Sequence, residues 1–225
     1  MTPEEFQKAS NVSRETLQRL TVYAELLVKW QKAINLVSKN TLPDLWQRHM
    51  LDSAQLYDIA GNTLKDPIYK ERGEGASVVA DRDLADCTWV DLGSGAGFPG
   101  LVLAIMGVGR VHLVESDARK CTFMREVARE TGVDVHIHTC RIEKLVDQKD
   151  APGTADFISA RALAKVDQLL IWAEPFVAPD TVCLFPKGQD VDLELANLIE
   201  SGSSMIKKWP SLTHPDSVVL QIVPR

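Results

Sequence analysis

The run VDLGSGAGFPG, Val90 to Gly100, sets Gly93, Gly95, Gly97 and Gly100 directly after an apolar strand-like stretch and directly before a helix-like one. Glycines at this spacing let the chain turn tightly and approach a ligand with its backbone, while the following helix presents free N–H groups. The pattern predicts a nucleotide-binding loop. Gly95 to Gly100 fits the glycine spacing of a dinucleotide site, and Glu115 follows about twenty residues on, where an acid that accepts from ribose hydroxyls belongs. Asp91, however, stands near the carboxyl end of the strand, where a pyrophosphate would have to lie. Two like charges brought together in a partly desolvated site cost several kcal/mol. A ligand with an ammonium group suits that carboxylate, and S-adenosylmethionine carries one together with a ribose. The loop therefore reads as a methyl-donor site, with a nicotinamide dinucleotide as the alternative.

The 225 residues, 45% hydrophobic and 25% charged, suffice for one well-buried α/β domain and a modest extension. No apolar run approaches the length of a membrane span, and the opening MTPEEFQKAS has acids where a secretory signal would have bases, so a cytoplasmic protein is expected. Cys87, Cys121, Cys140 and Cys183 stand singly, without metal-ligand spacing, and are expected to be reduced and structural; no metal is expected. A net charge of −6 argues against nucleic-acid binding through a general basic surface. Any RNA contact must be local. Residues 1 to 60 hold seven Lys or Arg against seven Asp or Glu, so the acidic excess falls on the rest of the chain.

Residues 1–60 read as a helical extension. Thr2-Pro3-Glu4-Glu5 supplies a cap, an N1 proline and first-turn acids; Ser13 opens a stretch with Leu17, Leu20, Ala24, Leu27 and Ile34 at helical spacing; a second helical region follows Thr41. Residues 61–86, with Asp66-Pro67, Gly73, Gly75 and many charges, read as an exposed connection. Residues 87–225 alternate strand and helix, with strands expected near 88–92, 110–115, 134–139, 155–160 and 181–186. Such βαβ alternation predicts a mostly parallel sheet with its ligand at the strands' carboxyl ends. A helix near 191–200 precedes two strand-like runs, 205–209 and 217–223, which suit an antiparallel pair at one edge.

The glycine loop resembles that of the glucose-inhibited division protein B family, the bacterial 16S ribosomal RNA guanine-N7 methyltransferases. KWQKAINLVSK (Lys29 to Lys39) and RHMLDSAQL (Arg48 to Leu56) are similar to that family's helical extension, and ISARAL (Ile158 to Leu163) and FPKGQ (Phe185 to Gln189) to its later signatures. The resemblance implies a class I, Rossmann-like methyltransferase fold, S-adenosylmethionine as donor, and methylation of one guanine in the decoding-region loop of 16S ribosomal RNA, within the small ribosomal subunit. It also implies donor contacts from Gly93 and Phe98 in the loop, Ile142 and Glu143 after the third strand, and Arg161 after the fourth. Asp91, Gly95 and Glu115 join them on the loop's own chemistry.

Each of these residues also has a plainer role open to it. Phe98 can wall the donor or belong to the core. Glu143 can accept from an adenine amine or serve as a first-turn acid. Arg161 and Lys187, each following an apolar strand, are the candidates for RNA contact; Arg161 can instead clamp the donor's carboxylate. His49 and Asp52, three apart on an expected helix, can bond or cap each other. Trp30 and Trp46 can stack on bases but sit on amphipathic helices. No N-P-P-Y, D-P-P-Y or Pro-Cys follows the fourth strand, where amine or pyrimidine-C5 methylation would need one. Guanine N7 carries its own in-plane lone pair, so no general base is expected and no catalytic residue is assigned.

Overall fold

A computed structural model describes residues 1–66, 82–189, 191–195 and 204–224. The chain opens with α1 (Pro3–Ser10), whose start is a reciprocal capping box: Glu5 N–H donates to Thr2 Oγ1 at 3.2 Å and Thr2 N–H donates to Glu5 Oε2 at 2.7 Å. In α2 (Arg14–Trp30), capped by Ser13, the apolar periodicity buries Leu20, Tyr23, Ala24 and Leu27 on one face. A π-helical turn, Trp46–Leu51, then runs without a break into α3 (Asp52–Lys65). Hydrophobic residues at Ile59, Ala60 and Leu64 remain buried, which carries this helix past residue 60, the expected end of the extension.

The core is a seven-stranded sheet of order β3-β2-β1-β4-β5-β7-β6. Its strands are β1 (Thr88–Leu92), β2 (Arg110–Glu115), β3 (His136–Thr139), β4 (Phe157–Ala160), β5 (Val182–Lys187), β6 (Ser204–Pro210) and β7 (Val218–Pro224). The first five run parallel; β7 pairs antiparallel with both β5 and β6, as the edge pair was expected to. The crossover helices are α4 (Gly100–Met106), α5 (Ala118–Thr131) and α6 (Val166–Ala173), the last followed by a 3-10 turn, Glu174–Phe176. The helix expected near 191–200 is seen at 191–195; its remainder lies outside the described residues, as does the centre of the 61–86 connection. The sheet reverses its order between β1 and β4, the topological switch point at which such folds bind ligands.

The sheet is covered on both sides. Trp89, Val111, Leu113, Phe157, Val182 and Leu184 face one hydrophobic cluster, shared with α2, α3, α4 and α5. Val90, Leu92, Val114, Ile158, Cys183 and Phe185 face the other, shared with α6 and the 191–195 helix. Successive side chains on a strand alternate between faces. That parity decides where the polar residues at the strand ends go. Asp91 and Ser159 fall on the side of Trp89 and Phe157, beneath the helical extension, and Lys187 falls with Cys183 and Phe185 on the side of α6. All four cysteines are free thiols. Among the described residues no helix is long and apolar enough to cross a membrane.

Candidate active site

Two cavities open at the carboxyl ends of β1 and β4. The smaller, about 350 Å³, is lined by Gly93, Gly95, Glu115, Ile142, Glu143 and Arg161, with Leu163 and Trp172 as apolar walls. The larger, about 390 Å³, has Phe98, Arg161 and Lys187 on one side. On the other are Arg48 and Asp52 from the helical extension and Thr213 from the turn between β6 and β7. Gly93, Gly95, Arg161 and Ala162 line both, so the cavities meet at the glycine loop. Both volumes lie at the small end of the range for cofactor and small-molecule sites.

The loop is rigidly held. Ser94 N–H donates to Val114 O at 2.9 Å, and the Ser94 hydroxyl donates to Asp91 O at 2.9 Å while accepting Val114 N–H at 3.1 Å. Tyr23 reaches from α2 to donate its hydroxyl to Ala96 O at 2.5 Å. Gly93 has a φ of +68°, a left-handed conformation that favours glycine, and a Cβ there would lie 2.7 Å from the exposed Leu163 side chain, which would have to move aside.

Asp91 lines neither cavity. Its Oδ2 accepts Gly100 N–H at 3.1 Å at the start of α4, and its Oδ1 accepts the Ser159 hydroxyl at 2.8 Å. The Ser159 oxygen in turn accepts Trp89 Nε1–H at 2.9 Å. Burial pushes the Asp91 carboxyl up to about 6, against the opposing pull of these hydrogen bonds and of Arg161. Asp91 thus braces the loop from below. Glu115 does face the smaller cavity, with Oε2 accepting Gly95 N–H at 3.0 Å and Oε1 accepting Asp117 N–H at 2.7 Å. Ile142 and Glu143 open a 3-10 turn, Ile142–Asp147, directly beside it, and the exposed Glu143 has no hydrogen bond or ion pair among the described residues.

Arg161 continues the parity of Phe157 and Ser159 and enters the helical extension. Its Nη1 donates to Asp52 Oδ2 at 3.3 Å and to Arg48 O at 3.2 Å, and its Nη2 donates to His49 Nδ1 at 3.0 Å. The guanidinium lies 5.2 Å from the centre of the Phe98 ring, which stacks on Tyr23 at 5.0 Å. Phe98 is therefore both core and wall. His49 and Asp52 do not bond each other; they converge on Arg161. In the π-helical turn, Asp52 N–H bonds Gln47 O, five residues back. Burial and the charges of Arg161 and Arg48 push His49 down to about 3, so it is neutral, accepts on Nδ1 and donates from Nε2 to Thr41 Oγ1 at 2.8 Å.

Asp52 also accepts the Thr213 hydroxyl on Oδ1 at 2.8 Å, and Gln55 accepts Leu212 N–H at 3.0 Å. One carboxylate joins the extension, the end of β4 and the β6–β7 turn. Lys187 turns the other way: Nζ donates to Ala164 O at 2.7 Å and Glu194 Oε2 at 2.8 Å, and only 11% of its side chain is exposed. Trp46 packs on Phe6 and Trp30 on Phe123, each in a tilted arrangement and half-buried. Sequence reasoning missed Arg48, Thr213 and the other residues of the turn as cavity walls.

A family profile described as rRNA small subunit methyltransferase G matches residues 16–66 and 74–212. The chain belongs to this family. It is 50% identical over 222 residues to the ribosomal RNA small subunit methyltransferase G of Paramagnetospirillum magneticum, covering 99% of this chain and 95% of that one. Its identity to the protein of the same name from Parvibaculum lavamentivorans is 46% over 223 residues, covering 97% and 88%. Among solved structures, the fold is shared with a ribosomal protein L11 methylase from Lactobacillus delbrueckii (TM-score 0.53, 18% identity, covering 76% of this chain and 79% of that one). It is shared also with a precorrin-6y C5,15-methyltransferase from Geobacter metallireducens (TM-score 0.52, 12% identity, covering 85% and 92%). The family's methyltransferase fold is the one seen here: the Rossmann-like class I sheet with one antiparallel edge.

Proposed function

We propose that this chain transfers the methyl group of S-adenosylmethionine to N7 of a guanine in the decoding-region loop of 16S ribosomal RNA, within the small ribosomal subunit. The reading rests on the two cavities that share Gly93, Gly95, Arg161 and Ala162. Donor and acceptor would each take one cavity and meet over the glycine loop. The smaller fits the donor: a glycine cradle with Gly93 in the left-handed conformation, the Glu115 carboxylate for ribose hydroxyls, and Glu143, without a partner among the described residues, beside the neighbouring backbone for an adenine edge. Asp91 would act by bracing the loop and Arg161 by joining the two sites. In this reading residues 1–60 are an extension that completes the acceptor cavity, 61–86 the connection, and 87–225 the methyltransferase core.

When bound, S-adenosylmethionine supplies an electrophilic methyl group on a sulfonium. Of the carboxylate and amine that line the larger cavity, Asp52 is held by Arg161 and Thr213 and Lys187 by Glu194. His214, which also lines it, accepts Asp216 N–H on Nδ1 at 3.3 Å, and the neutral His49 next to Arg48 has both ring nitrogens bonded. Guanine N7 has a lone pair to offer without losing a proton. The chain's contribution is to exclude water and hold the acceptor in line, effects that together supply roughly 7–11 kcal/mol.

The test is to incubate the protein with methyl-labelled donor and either small ribosomal subunits or free 16S RNA from a strain lacking the modification. Label is expected in the RNA, with borohydride-dependent strand cleavage at one N7-methylguanosine. Label in a protein or a small molecule, donor binding without any transfer, or calorimetric binding of a nicotinamide dinucleotide in place of the donor would each refute it.

A further inference from the structure

The larger cavity is faced by three permanent cations, and two of them are already spent within the protein. Arg161 is shared among Asp52, His49 and the Arg48 carbonyl. Lys187 is bound to Glu194 and Ala164 O. The side chain of Arg48 is exposed and makes no hydrogen bond or ion pair among the described residues.

Its backbone, by contrast, is fixed at both ends. Arg48 N–H donates to Asp44 O at 2.8 Å, and its carbonyl accepts Arg161 Nη1 at 3.2 Å. With the backbone already fixed, only the side chain has freedom to lose when the guanidinium engages a ligand. The Ser217 hydroxyl lines the same cavity and can donate to an anion beside it, whereas those of Thr41 and Ser211 already donate to Ser38 O and Thr213 Oγ1. Arg48 lines only this cavity and not the smaller one, which separates it from any carboxylate of the donor.

We propose that Arg48 is the phosphate contact of the acceptor cavity, holding the backbone of the RNA strand that delivers the target base. The proposal rests on the RNA reading above and gives to Arg48 the role that the strand-end position suggested for Lys187. A planar guanidinium bonds two phosphate oxygens at once, which fixes the strand's register as well as adding attraction. On a chain of net charge −6, a cation at the cavity without a partner among the described residues supplies local attraction for a phosphate. His49, pushed down to about 3 in part by Arg48, adds no positive charge there at neutral pH.

The experiment compares wild type, Arg48→Ala, Arg48→Lys and Lys187→Ala for binding to unmodified small ribosomal subunits across a salt series, with donor affinity by calorimetry and methylation measured in parallel. Arg48→Ala is expected to flatten the slope of log affinity against log salt by about 0.7 to 0.9 unit, the share of one phosphate contact. Its KM for the subunit should rise, with donor affinity unchanged. Arg48→Lys should restore the slope, and Lys187→Ala should keep the wild-type slope. An unchanged slope in Arg48→Ala overturns the proposal while leaving the function intact, as does a flattened slope in Lys187→Ala alone. No methylation by wild type would bring down the function and the proposal together.

Discussion

The two cavities adjoin, yet they are assembled in opposite ways. The smaller one comes from loops that each follow a strand of the parallel sheet: residues 93–95 after β1, Glu115 and Ser116 at the end of β2, and residues 140–143 after β3. The larger adds to the glycine loop and the ends of β4 and β5 two remote segments, the helical extension and the β6–β7 turn, and the bond between these two, Thr213 to Asp52, joins residues 161 positions apart. The first site is a property of the fold. The second depends on how the helical extension and the edge hairpin dock onto it.

Arg161 belongs to both, so its loss gives the largest effect. In Arg161→Ala, Asp52 keeps only neutral partners in a largely buried site, which costs about 3 kcal/mol when one member of such a pair is removed. Methylation is expected to fall on the order of 100-fold, with both donor and RNA binding weakened. Loss confined to one ligand in calorimetry would show that the cavities do not share this residue functionally.

Asp91→Ala removes the brace of the glycine loop, which lines both cavities. It leaves Gly100 N–H and the Ser159 hydroxyl without their acceptor, at a cost of about 1–3 kcal/mol. Donor affinity measured on the folded variant is expected to drop within that range. Unaltered donor binding would separate the loop's shape from its brace.

His49 tests the larger site by pH. Its folded-state value of about 3 lies below the unfolded 6.5, so the stabilisation from the neutral ring is complete above pH 6.5 and is lost as pH falls from 6.5 toward 3. At pH 5 the loss amounts to about 2 kcal/mol at most. Urea unfolding of wild type and His49→Gln at pH 7 and pH 5 should show the wild type losing that much more than the variant. Parallel losses would mean that His49 titrates freely and does not sit neutral against Arg161.

The same contrast explains what could be read from the chain. The glycine loop and Glu115 were legible because ligand chemistry and close spacing coincide in sequence. The sheet and its edge pair were legible from alternating strand and helix signals. The directions of Asp91 and Lys187 were not. Strands buried on both faces read as unbroken apolar runs, so the parity that turns Asp91 beneath α4 and Lys187 toward Glu194 leaves no polar alternation to detect. The convergence of His49 and Asp52 on Arg161 was hidden for a different reason. WQRHML carries no Gly or Pro to announce a π turn, and the partner is over a hundred residues away. Arg48 gave no signal because an unpaired cation stands out only once its neighbours' partners are known.

The division of labour between the cavities is tested most directly by initial rates with donor and small-subunit RNA both varied, for wild type, Glu115→Gln and Asp52→Asn. Glu115→Gln is expected to raise the donor KM by about 5- to 150-fold, the equivalent of about 1–3 kcal/mol, with little change in the RNA KM. Asp52→Asn is expected to raise the RNA KM and leave the donor KM near wild type. If both substitutions raised the same KM, the two cavities would be a single site and the account would be wrong.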